Sequence, residues 1–317
     1  MPADLLDHKL LFVSGKGGVG KSTVAAALAL LASQRGKRTL ACEIDAKGNL
    51  ADFFEAGPTD YTPREVQPNL YAMSMDTEAS LQEYLRLQMR LPAIARIGPL
   101  ARAFEFVATA APGVREILTV GKPVWEVREG NFDLVVVDAA ATGHIVGQLA
   151  APQAINELVH VGLIRQQTGW LIEILGNKVL TGLVVVTTPE EMPVNETIDL
   201  AGRVEDETDV ALSAIVVNRV LPELFGRQEE EVFEELRQPV AVGALGEATD
   251  GPVEPVMEAA RLAVTMRRTR MGHIERLRTS VDSSIPLLYV PYLFMRAHGF
   301  RTTRQVAEAL SAELSYE

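Results

Sequence analysis

A single cysteine, Cys42, serves the whole 317-residue chain. That scarcity excludes disulfides within the chain, and it excludes an all-cysteine metal or iron–sulfur site unless subunits share one. Cys42 itself lies in the apolar run TLACEID and reads as a small core residue. Long hydrophobic runs are missing as well: no window holds the about eighteen uninterrupted apolar residues of a membrane span. The start MPADLLDHKLL lacks the basic-then-apolar layout of a secretory signal, so the expected location is the cytoplasm. Positive charge is in deficit. A formal net charge of −12 argues against a nonspecific grip on nucleic acid or on an anionic membrane, with which contact is expected to be transient at most. Neither an internal repeat nor a low-complexity linker interrupts the chain. What remains, 47% apolar and 23% charged residues, is the balance of a globular protein.

Short, β-branched and almost wholly apolar runs recur at 9–14, 38–44, 133–138, 182–188, 211–218 and 285–291. Such strands are buried on both faces, as in a parallel sheet covered by helices. The stretch STVAAALALLASQRG (22–36) is made of strong helix formers and stops at Gly36. The predicted fold is therefore α/β: a doubly wound, mainly parallel sheet with ligands beyond the strands' carboxyl ends, formed as a single domain over 1–317. Residues 77–128 and 152–178 are helix-forming without a convincing strand, and predict an inserted helical subdomain. Residues 222–250 carry the acidic block RQEEEVFEELRQ followed by a Gly/Pro-rich connection, and predict a solvated helix with its linker.

The most informative stretch is SGKGGVGKST, 14–23. Gly15, Gly20, Lys21 and Ser22 satisfy G-x-x-x-x-G-K-[ST], with an apolar strand before and a helix after. In such a loop the backbone N–H groups of Gly15, Lys16, Gly17, Gly18, Val19 and Gly20 approach phosphates, and the helix N-terminus adds partial positive charge. Lys21 is placed to neutralise β- and γ-phosphate oxygens, Ser22 to ligate Mg²⁺, and Thr23 to hydrogen-bond the α-phosphate. Lys16 is one lysine more than this motif needs.

In KGGVGKS that early lysine resembles the deviant Walker A loop of dimeric ATPases. There it reaches across the dimer interface to the partner's nucleotide, as an arginine finger does. The following motifs narrow the resemblance to the bacterial ArsA-like, anion-transporting ATPases, which include the arsenite-pump and tail-anchored-protein-targeting enzymes. EIDAKGNLADFF (43–54) is similar to their first switch. The match implies that Asp45 positions or deprotonates the attacking water, and that Asn49 and Asp52 are switch residues. The family's Pro-Ala-His is replaced here by Ala46-Lys47-Gly48. VVVDAAATGHIVGQLAAP (135–152) is similar to the second switch. There Asp138 would act on Mg²⁺ through water, and Thr142, Gly143 and His144 would sense nucleotide, with Ala139 and Ala141 standing for the usual Thr and Pro. Asn218, closing SAIVVN, sits where the class reads adenine, and Pro291 and Tyr292 sit where a last loop closes over the base. The resemblance spans about 9–312 and implies Mg²⁺-dependent ATP hydrolysis by a homodimer, or by a heterodimer with a paralogous ATPase. A small-molecule kinase is disfavoured, because Lys16 and both switches belong to hydrolysing dimers.

Departures from relatives bear on the cargo. The Cys-x-x-Cys zinc clasp of the eukaryotic targeting enzymes is missing, and one cysteine cannot supply an arsenite site. Residues 81–112 place Leu, Met, Ile and Phe on more than one face, interleaved with Arg86, Arg90, Arg96 and Arg102. In targeting relatives such helices cradle a client's transmembrane segment. An amphipathic pair packing on itself explains the same pattern. Two functions stand: an ATP-driven targeting or chaperone-type factor for hydrophobic or membrane-protein clients, and a regulatory switch acting on a soluble partner or a paralogous subunit.

Overall fold

The computed structural model describes residues 4–44, 50–88, 113–158, 163–249, 251–294 and 299–315. The apolar runs form parallel strands: β1 (Leu10–Gly15), β2 (Thr39–Glu43), β5 (Leu134–Ala141), β6 (Thr181–Thr187), β7 (Ala211–Val220) and β8 (Leu287–Pro291). Two further strands, β3 (Arg64–Gln67) and β4 (Leu70–Ser74), were not legible in the sequence. β3 is a four-residue edge strand of sequence REVQ without an apolar run, and β4 follows it too closely to stand out. Together the described strands make one eight-stranded sheet in the order β3-β4-β2-β5-β1-β6-β7-β8. β3 alone runs antiparallel to its neighbour.

Successive side chains of the central strands feed two separate cores, as the two-residue period of a strand requires. Leu11, Val13, Val136, Val184 and Val216 face one layer, built by α1 (Lys21–Gln34) and α10 (Phe300–Glu313). Leu10, Phe12, Val135, Val137, Val185 and Val217 face the other. That second layer contains α3 (Val114–Arg128), α4 (Thr142–Leu158), α5 (Leu163–Gly176), α6 (Glu191–Glu207) and the last turns of α9 (Glu254–Ser280). Every residue of α1 from Val24 to Ser33 is buried, because the helix is clamped between sheet and α10. Cys42 is fully buried in the second core, and burial pushes its thiol pKa far up. The sequence-based reading of it as a core residue is correct.

Two boundaries differ from expectation. The helical stretch expected over 152–178 comprises the tail of α4 and then α5, and α4 begins ten residues earlier at Thr142, where its first turns bury Ile145 and Val146 against the sheet. Where a Gly/Pro-rich connection was expected after the acidic helix α7 (Arg227–Leu236), residues Pro239–Thr249 form a helix, α8. Pro239 occupies its first position, where the missing N–H costs nothing. Of the predicted insert at 77–128, α2 (Thr77–Gln88) and α3 are helical as expected, while 89–112 lies outside the described residues.

A buried charge cluster fastens α2 to α3. Lys122 donates to Glu126 at 2.8 Å and to Glu83 at 3.0 Å, and the Tyr61 hydroxyl donates to Glu83 at 2.5 Å. Burial opposes the charge on Lys122, yet the bonds to Glu126 and Glu83 outweigh it and hold the ammonium above the ordinary lysine range. Removing one member of a buried ionic cluster strands the others. Lys122→Ala is therefore expected to lower unfolding stability by about 3 kcal/mol in urea titration. A change below about 0.5 kcal/mol, the scale of an ordinary surface substitution, would contradict a structural role for the cluster.

Candidate nucleotide-binding site

The chain leaves β1 through α1 toward β2 on one side of the sheet, and leaves β5 through α4 and α5 toward β6 on the other. Strands that part in this way open a crevice at their carboxyl ends. SGKGGVGKST occupies that crevice. β1 ends at Gly15, and Lys21, Ser22 and Thr23 form the first turn of α1. Gly18 and Gly20 adopt φ of 86° and 99°, the left-handed region that other residues enter at a cost. An added Cβ at Gly20 would collide with the Asn218 amide, so both conformation and space demand glycine there. At Gly17 and Gly18, by contrast, a Cβ would meet open space among the described residues.

The loop is braced from three directions. Ser14 Oγ donates to Ala140 O on β5 at 2.7 Å. Asn218, near the end of β7 and buried, donates from Nδ2 to Val19 O at 2.8 Å, while its Oδ1 accepts the Arg219 N–H at 2.9 Å. The residue expected to read adenine thus supports the phosphate loop here. Lys21 Nζ curls over the loop to donate to Lys16 O at 3.4 Å. Lys16 Nζ forms an ion pair with Glu196 of α6.

Asp138 ends the apolar part of β5. It is buried, in register with Val13 of β1 on one side and with Glu43 of β2 on the other. Four residues on, Thr142, Gly143 and His144 begin α4. Gly143 and His144 are exposed, whereas Thr142 is half-buried and donates to Glu196 Oε2 at 3.3 Å. Pro291 closes β8, and the Tyr292 N–H is held by Val220 O at 2.8 Å. The Tyr292 ring lies 4.8 Å from that of Phe294, and both are exposed beside the end of β7. Asp52 is exposed on a short 3₁₀ turn, Leu50–Phe54. Asp45 and Asn49 lie outside the described residues.

Three participants escaped sequence reading. Glu43 is buried at the end of β2, and its Oε2 accepts the Leu50 N–H at 3.4 Å and the Ser74 hydroxyl at 3.5 Å. It ties the start of the 3₁₀ turn Leu50–Phe54 to the end of β2. Its only signal was its place two residues before Asp45. Phe294 had only its spacing from Tyr292 to betray it. Glu196 had none, being 180 residues from Lys16.

Comparison with known proteins agrees with this geometry. The chain matches the model of the anion-transporting ATPase family over residues 8–171 and 163–239. It is 31% identical over 232 residues to ATPase BagA of Mycobacterium tuberculosis, an alignment that covers 70% of this chain and 68% of that one. It is 35% identical over 153 residues to ATPase get3 of Schizosaccharomyces japonicus, covering 47% of this chain and 45% of the relative. The phosphate loop, its buried carboxylate neighbour and these likenesses converge: the chain belongs to the anion-transporting ATPase family and is an ATPase.

Proposed function

We propose that this ATPase hydrolyses ATP with Mg²⁺ as a nucleotide-switched dimer, serving as a targeting or chaperone-type factor for hydrophobic or membrane-protein clients. The observation that carries the first half is the lysine pair on one loop. Lys21 Nζ donates to Lys16 O within the loop, whereas Lys16 Nζ pairs with Glu196 of α6, outside it. A lysine that reaches out of its own loop would be available to a second subunit's phosphates, where its charge would stabilise the transferring phosphoryl group. Ser22 and Asp138, the latter through water, would hold Mg²⁺. A hydroxyl and a buried carboxylate supply the hard oxygen donors this ion takes, and the bound ion would neutralise phosphate charge. Asp45 would orient the attacking water, Thr142 and His144 would register the γ-phosphate, and Asn218, Pro291 and Tyr292 would border the base.

Support for an apolar client comes from the surface. No residue of α8 is buried, and Val240, Val256 and Leu262 on α8 and α9 are 86%, 67% and 58% exposed. These are side chains an apolar client could meet, and Met266 and Met271 on α9 add ones that repack around varied shapes. The expected groove at 81–112 falls mostly outside the described residues. An arsenite-pump subunit is the least supported reading, since Cys42 is buried with its thiolate disfavoured.

Asp45→Asn tests both halves. It should retain ATP yet turn over about 100- to 10,000-fold more slowly, the range of a lost general base. Unchanged turnover would move the water-positioning role to another residue. The same variant, loaded with ATP and Mg²⁺ in its own cell extract, should retain membrane proteins with a hydrophobic segment, identified by mass spectrometry. Retention of one soluble protein or a paralogous ATPase instead would make the protein a regulatory switch.

A further inference from the structure

Glu196 divides its carboxylate between two elements of the site. Oε1 pairs with Lys16 of the phosphate loop, and Oε2 accepts from Thr142, the first residue of the second-switch helix α4. Its own helix, α6, is fixed to the sheet through Val194, Thr197, Leu200 and Val204, so the carboxylate hangs from a rigid support. The Lys16 and Glu196 side chains are 27% and 35% exposed, enough for solvent and a second molecule to reach them.

We infer that Glu196 is a positioning residue that latches Lys16 and Thr142 within one subunit, so that Lys16 is handed to the partner only when nucleotide and dimerisation compete for it. The inference rests on the reading of Lys16 as acting across the dimer. An ammonium neutralised in cis contributes less to a phosphate in trans, because the competing pair must first be broken. Nucleotide weakens the latch in two ways. Its phosphates attract Lys16, and their negative charge repels the Glu196 carboxylate. Since Thr142 hangs from the same carboxylate, release of the lysine and movement of the second switch are coupled. A ligand shifts such an equilibrium only by its differential interaction with the two states, and Glu196 supplies that difference.

The test is the dissociation constant of the dimer formed with a slowly hydrolysed ATP analogue and Mg²⁺, measured by sedimentation for four full-length proteins: wild type, Glu196→Gln, Lys16→Ala and the double variant. Glu196→Gln keeps the side chain's shape and removes its charge. It should tighten the dimer about two- to five-fold, the scale of a partly exposed ion pair. In the Lys16→Ala background the same change should have no effect, because the gain passes through Lys16. A Glu196→Gln dimer no tighter than wild type, or a gain that survives without Lys16, overturns the latch. If Lys16→Ala alone dimerises and hydrolyses as wild type does, the in-trans reading itself falls, which separates the two failures.

Discussion

Lys21→Ala is expected to reduce ATP turnover by about 1,000-fold, the upper range for removing one preorganised group that meets developing charge. Lys21 begins α1, its stem rises from the helix N-terminus, and its Nζ already lies over the loop within reach of Lys16 O. Without it the backbone N–H groups still face the phosphates, so binding should survive in weakened form. Loss of one charged hydrogen bond predicts about 10- to 100-fold weaker nucleotide affinity. Lys21 is not part of either apolar core, so the fold should be intact, with stability within about 0.5 kcal/mol of wild type. Arginine is a poor substitute, because its planar fork does not reproduce a compact point charge. Steady-state phosphate release and titration with a fluorescent nucleotide measure the two effects separately. Ordinary turnover by the alanine variant would remove the phosphate loop from the chemistry.

Lys16→Ala should show a different signature. A single chain should bind ATP within a few-fold of wild type, since Lys16 Nζ is engaged with Glu196. Hydrolysis should fall by about 1,000-fold, the lower bound for a charge delivered in trans to a transferring phosphoryl group. The dependence of specific activity on protein concentration, expected for wild type, should flatten in the variant. A Lys16→Ala protein with wild-type turnover at every concentration would make Lys16 a surface lysine paired with a surface glutamate, and such pairs contribute little.

The phosphate loop was legible because it is local. Ten consecutive residues specify strand, turn and helix, and the glycines at 18 and 20 adopt the positive φ that the motif implies. Asp138 was legible for the same reason, as the last residue of an apolar run that had to be a buried strand. Thr142 was found by motif, though its bond to Glu196 was not. The bond by which Asn218 supports the loop was not legible, because a contact with Val19, 199 residues away, leaves no periodic trace.

By itself the sequence determined the fold class, the phosphate loop and the family. Each of these rests on short-range signals: the two-residue and 3.6-residue apolar periods, and glycines whose conformations no other residue replaces cheaply. Only the tertiary structure decided that Glu43 braces Leu50, that Asn218 supports the loop, and that Glu196 joins Lys16 to Thr142. These are single polar contacts between strand ends and helices brought together by the order β2-β5-β1-β6-β7. A carboxylate on α6 looks like any solvated glutamate until the sheet sets that helix beside the loop, and that adjacency depends on strand order, which no local pattern encodes.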